Sequence, residues 1–120
     1  MSLRGIRGAI TVEKNIKDEI LAATRELLEK LVVANDIKSE DVASALFSTT
    51  PGLNAAFPAE AARELGWNET PLLCMQEIPV PGGLANCVRI LIHLNTGRSQ
   101  KEMKHLYLRG AEILRSAKEQ

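Results

Sequence analysis

The chain has 120 residues, with fifteen Lys and Arg balanced by fifteen Asp and Glu and a formal net charge of zero at pH 7. Its length fits one domain over 1–120, and the charge balance offers no chain-wide basic footprint for nucleic acid or for an anionic membrane surface. No apolar run approaches the roughly 20 residues that span a bilayer, and Arg4 and Arg7 precede no signal-peptide core, so the expected location is the cytoplasm.

Leu3 to Val12 alternates so that Ile6, Gly8, Ile10 and Val12 share one face and Gly5, Arg7, Ala9 and Thr11 the other, the pattern of a strand. Asn15 is expected to cap a long helix that begins at Ile16, carries Asp18 in its first turn and ends near Asn35. Ile16, Ile20, Ala23, Leu27, Leu28 and Leu31 form its apolar stripe. Asp41 to Thr49 reads as a second strand, broken by Pro51 and Gly52. Pro58 suits the start of a short helix over Ala59 to Leu65 and Gly66 its left-handed end, with Phe57 before it and Arg63 on it.

Leu72 to Ile78 reads as a third strand, and Pro79, Pro81, Gly82 and Gly83 as a loop. In a fourth strand Val88, Ile90, Ile92 and Leu94 share one face, and Cys87, Arg89, Leu91 and His93 the other. Ser99 is a cap for a short helix through Met103. His105 to Leu108 reads as a fifth strand, a helical turn follows around Ala111 to Leu114, and 116–120 reads as a flexible tail.

The implied fold is an α/β (α+β) sandwich with a mixed sheet of about five strands packed on one long helix. No second long helix is available for the far face, so another subunit is expected to cover it, and Arg7 and Arg89 both point that way. Cys74, Cys87, His93 and His105 lack metal-ligand spacing. No metal is assigned, and the cysteines read as small buried hydrophobes without a disulfide.

Leu72 to Glu77 and Cys87 to Ile90 both read as buried strands, yet each carries a charge, and an isolated buried charge costs several kcal/mol. A charged ligand, or a pairing of Glu77 with Arg89, would compensate them. Plainer readings stand beside each candidate. Arg7 fits a surface arginine, Arg89 with Glu77 a structural ion pair, Arg63 and Arg115 solvated arginines, and Phe57 and Tyr107 core fillers. Cys74 and Glu77, three residues apart, face opposite sides of a regular strand, so one pocket uses both only through a bulge or a backbone contact.

Arg4, Gly5, Ile6, Arg7, Gly8, Ala9; Phe57, Pro58, Ala59; Cys74, Met75, Gln76, Glu77; Val80, Pro81, Gly82, Gly83; Val88, Arg89; and His105, Leu106, Tyr107, Leu108 follow one another in this order. Together they resemble the monofunctional chorismate mutases of the Bacillus type, over nearly the whole chain. The resemblance implies a homotrimer forming a pseudo-α/β barrel, with sites between subunits. It also implies the [3,3] sigmatropic conversion of chorismate to prephenate in aromatic amino-acid biosynthesis, with no cofactor or metal.

By the same resemblance Arg89 meets the ether oxygen, Arg7 and Tyr107 hold a carboxylate, and Glu77, helped by Cys74, accepts the ring hydroxyl. Phe57, Ala59 and Leu72 supply apolar walls, Arg63 attracts an anion at the mouth, and Leu114 with Arg115 acts from a C-terminal lid. Where such proteins often continue with a proline and an acidic residue, Ser116, Ala117 and Lys118 follow here. Two alternatives share the architecture. They are a trimeric imine deaminase, whose motifs are not matched, and a non-catalytic trimer binding a small dicarboxylate.

Overall fold

The structure, a computed structural model, describes residues 1–116. Five strands are joined by two helices in the order β1 (Ser2–Thr11), α1 (Lys17–Asn35), β2 (Val42–Thr49), α2 (Ala59–Glu64), β3 (Leu72–Gln76), β4 (Cys87–Thr96) and β5 (Leu106–Leu108). Short 3-10 segments lie at Ser39–Asp41, Gln100–Glu102 and Arg109–Ser116. The sheet order is β3-β2-β4-β1-β5. The β1–β4 and β2–β4 pairs are antiparallel, and the β1–β5 and β2–β3 pairs are parallel.

The core lies between one face of this sheet and the helices. Ile6 and Ile10 of β1, Phe47 of β2, and Val88, Ile90, Ile92 and Leu94 of β4 are buried there against Ile20, Leu27, Leu28 and Leu31 of α1. Gly8 lets the layers approach, because a Cβ at that position would come within 2.8 Å of Leu31 Cδ1 and 3.1 Å of Leu27 Cδ1. Truncating any one of the large core side chains to alanine would cost about 2–5 kcal/mol.

Helix α1 starts differently from the expectation. Ile16, with extended backbone, occupies the N-cap position, and no side chain caps the helix. Asn15 instead accepts from the backbone N–H groups of Asn54 and Ala55, each at 2.9 Å, while its amide donates to Asn54 Oδ1 at 2.8 Å. A distant loop with unsatisfied donors has taken the oxygen that a local cap would use. At the other end Asp36 adopts the left-handed conformation, and its N–H bonds Val32 O. Buried Asn35 then fastens the helix to the approach to β5 through Lys104 O at 2.9 Å and Lys104 N–H at 2.8 Å.

Two further expectations change. The third strand ends at Gln76 rather than Ile78, and it is an edge strand rather than a buried one, with Leu73, Met75 and Ile78 exposed. A strand with a single neighbour keeps one side open to solvent, and sequence periodicity does not reveal sheet order. The far face of the sheet is also not wholly bare. The Arg109–Ser116 segment folds over one end of it, packing Ala111 and Leu114 on Ala9, Cys87 and Tyr107. The rest of that face, including Leu46, Leu73, Met75, Leu91 and His93, stays half-buried or exposed. The tail expected over 116–120 lies outside the described residues apart from Ser116. None of the described helices is long and apolar enough to cross a membrane.

Candidate active site

Strand register places the charged residues. Arg89 of β4 lies between Ala9 of β1 and Ser48 of β2, Tyr107 of β5 stands beside Ala9, and Arg7 sits two residues along β1 opposite Leu91. Arg7, Arg89 and Tyr107 project on the face away from α1, as the alternation of β1 and β4 and the pairing of Tyr107 with Ala9 require. Glu77 lies one residue past the end of β3 and is brought in by its N–H, which donates to Thr49 O at 2.8 Å. Arg7, Ser48, Glu77, Arg89 and Tyr107, with Leu46, Met75 and Leu91, line a cleft of about 220 Å³.

Within the cleft, Arg89 Nε is 3.7 Å from Glu77 Oε2, and the two side chains are 23% and 25% exposed. Glu77 Oε2 accepts a short hydrogen bond from the Ser48 hydroxyl. Arg89 Nε, by contrast, is buried and has no hydrogen-bond partner among the described residues. An unsatisfied buried donor costs about 1–3 kcal/mol, more for a charged group, so this N–H is available to a ligand atom that can accept it.

Cys87 lies against this guanidinium. Burial raises its thiol pKa, the positive charge of Arg89 partly offsets that, and the charge of Glu77 adds to the rise. The thiol therefore stays protonated, a small neutral group buried with Ala9 and Tyr107 behind the cleft rather than a nucleophile. At the other end of the cleft, Arg7 N–H donates to His105 Nδ1 at 3.0 Å. Burial, then the charge of Arg7, lowers the His105 pKa.

The remaining candidates fall elsewhere on the same chain. Phe57, 72% exposed, and Cys74 line a second cavity of about 390 Å³ with Thr49, Asn54, Gln76, Lys17 and Glu60. Cys74 and Glu77 thus do not share a cleft, as their three-residue spacing implied; Met75 borders both cavities. Ala59 is buried in the main core, and Leu72 packs half-buried against it. Leu114 is buried in the smaller cluster around Tyr107. Arg63 on α2 and Arg115 on the last 3-10 segment are exposed and line neither cavity.

Several participants had not been singled out from sequence. Ser48 was detectable in principle, because Ser44, Leu46 and Ser48 alternate with the buried Ala45 and Phe47. The Lys17–Glu60 ion pair at 3.6 Å beside Phe57 had no local signal.

Chemically, the Arg89 cleft offers two cations, a carboxylate, a phenol and apolar walls. It can hold an anion, accept a hydroxyl proton in a hydrogen bond and present a charged donor to an electronegative atom. Among the described residues no group of three His, Cys, Asp or Glu side chains is placed to hold a metal.

Comparison with known proteins gives a consistent result. The family model described as chorismate mutase type I matches residues 3–118. The chorismate mutase AroH of Bacillus subtilis (strain 168) is 48% identical over 116 residues, which is 96% of this chain and 91% of that protein. The chorismate mutase AroH of Thermus thermophilus is 50% identical over 114 residues, 94% of this chain and 93% of its own length. A solved structure of a chorismate mutase from Clostridium thermocellum superposes with a TM-score of 0.90 at 48% identity, covering 92% of this chain and 98% of that one.

Proposed function

Because this chain belongs to the type I chorismate mutase family, we infer that it converts chorismate to prephenate, acting as an isomerase of aromatic amino-acid biosynthesis. The observation that carries the site assignment is the buried, unbonded Nε of Arg89 in a cleft shared with Glu77, Arg7 and Tyr107. The rearrangement is concerted and needs no nucleophile. Its ether C–O bond breaks ahead of C–C formation, so negative charge grows on the ether oxygen, and the free Arg89 donor is suited to meet it.

Arg7 and Tyr107 hold a substrate carboxylate and keep the side chain folded over the ring, which lowers the entropic cost of reaching the reactive conformer. Glu77, already oriented by Ser48, accepts the ring hydroxyl. A millionfold acceleration requires about 8 kcal/mol. One preorganised donor at the developing charge supplies about 3–4 kcal/mol of this, and restriction of the conformer can supply the rest.

The working form is a homotrimer with composite sites, in the cytoplasm. Two features support the assembly: the half-open apolar face that carries the Arg89 cleft, and the separate cavity around Phe57 and Cys74. In this arrangement the Arg89 cleft of one copy faces the Phe57 cavity of the next, and Arg63, Leu114 and Arg115 act at the mouth. Ala59 and Leu72, whose side chains are turned to the core, serve by shaping the Phe57 wall.

Incubation of the purified protein with chorismate, following its absorbance loss and the appearance of prephenate, tests the reading. A protein that binds chorismate without converting it would be the dicarboxylate binder instead. One that converts only imines would be the deaminase.

A further inference from the structure

We infer that His105 is a positioning residue for the clamp formed by Arg7 and Tyr107, a role that rests on the function proposed above. The two clamp residues lie on β1 and β5, and these strands are joined by only three register pairs, Gly8 with Leu106, Ala9 with Tyr107, and Ile10 with Leu108. One position before the first pair, a side chain supplies the next cross-strand link: Arg7 N–H donates to His105 Nδ1 at 3.0 Å. The ring therefore ties the backbone of one clamp residue to the short strand that carries the other.

His105 does not line the cleft, so its influence on substrate passes through Arg7. To accept at Nδ1 the imidazole must be neutral and carry its proton on Nε2. The site favours that form, since burial and the positive charge of Arg7 both oppose protonation of the ring. With β5 only three residues long, loss of this link frees Arg7 to shift relative to Tyr107. Misplacement of a binding group by about 1 Å can cost up to about a hundredfold in rate, and one neutral hydrogen bond is worth about five- to tenfold.

Asparagine and glutamine distinguish this role from bulk or polarity. The side-chain oxygen of His105→Asn can occupy the place of Nδ1, whereas in His105→Gln the acceptor sits one bond further out. With chorismate as substrate, His105→Asn should keep KM within about twofold of wild type. His105→Gln should raise KM about five- to tenfold with kcat within about twofold. In an Arg7→Ala background the difference between the two should vanish. Equal KM values for Asn and Gln, a raised KM in folded His105→Asn, or a difference that persists without the Arg7 side chain would overturn the proposal. If His105→Gln does not fold, His105→Ala, which removes the acceptor outright, takes its place in both comparisons with the same expected rise in KM. Absence of conversion by the wild-type protein would instead strike down the reading on which the proposal rests.

Discussion

Glu77 and Arg89 stand 3.7 Å apart, Oε2 to Nε, in an ion pair that is not a hydrogen bond. The same carboxylate oxygen is taken by the Ser48 hydroxyl, and among the described residues the Arg89 Nε–H has no acceptor. Each charge thus stabilises the other through space, while the guanidinium keeps a directed donor free. A fully satisfied structural salt bridge would not leave that donor open.

Replacing Arg89 with lysine keeps the charge but loses the planar fork and its reach. Turnover should fall a hundredfold or more, on the order of 3 kcal/mol, with little change in thermal stability. Steady-state kinetics with chorismate and a melting curve check both parts. Near-normal turnover would remove Arg89 from the ether-oxygen role.

Ser48→Ala should free the Glu77 carboxylate to swing toward Arg89 Nε. We expect kcat/KM to fall about tenfold, an effect on the order of one hydrogen bond to a charged group. An unchanged kcat/KM would mean that Ser48 does not orient Glu77.

Stability and turnover should respond to pH differently. The His105 pKa is lowered in the fold, so between that value and its ordinary 6.5 the unfolded chain binds more protons. Its contribution is complete above about 6.5 and is lost as pH falls through the folded value. The Cys87 thiol pKa is raised, so the fold loses stability as pH rises above the ordinary 9.0. Melting temperature should therefore drop on both flanks, while kcat, with no proton transferred, stays nearly flat between about pH 6 and 9. A bell-shaped kcat in that range under rate-limiting chemistry would contradict the mechanism.

Gly8→Ala should destabilise the fold by about 1–3 kcal/mol, because its Cβ would meet Leu31 of α1 at 2.8 Å. Differential scanning calorimetry gives the value directly. An unchanged melting temperature would show that α1 yields at no cost.

Composite sites predict complementation. Trimers of Arg89→Ala and of Phe57→Ala should each be impaired at every site, with Arg63→Ala as an alternative second lesion. Co-refolded mixtures would contain some clefts with both lesions and some with neither, so part of the wild-type activity should return. Verified hybrid trimers without recovery would place the residues in one subunit.

How far these features were legible depends on distance along the chain. The period-two alternation of β1 and β4 was enough to send Arg7 and Arg89 to the face away from α1, and Pro58 and Gly66 bounded the short helix. Ser99 read correctly as a cap, since its backbone N–H bonds Glu102 Oε1 only three residues away at 2.9 Å. The Asn15 cap failed because residues 39 and 40 positions later outcompeted the local helix end. The bonds of His105 to Arg7 and Asn35 to Lys104 span 98 and 69 positions, and no local pattern encodes them. The apolar run at Leu72 to Ile78 fixed a strand but not its place in the sheet, which depends on partners elsewhere.

That place has a cost for the nascent protein. As an edge strand, β3 displays Leu73 and Met75 on the open face, with Ile78 just beyond, and offers unpaired backbone groups along one side. If the protein assembles as proposed, a copy that has folded but not yet met its partners would be a template for unintended strand addition. Assembly and mispairing both rise with concentration, so a substitution that slows assembly would leave this edge open longer to aggregation or to capture by chaperones.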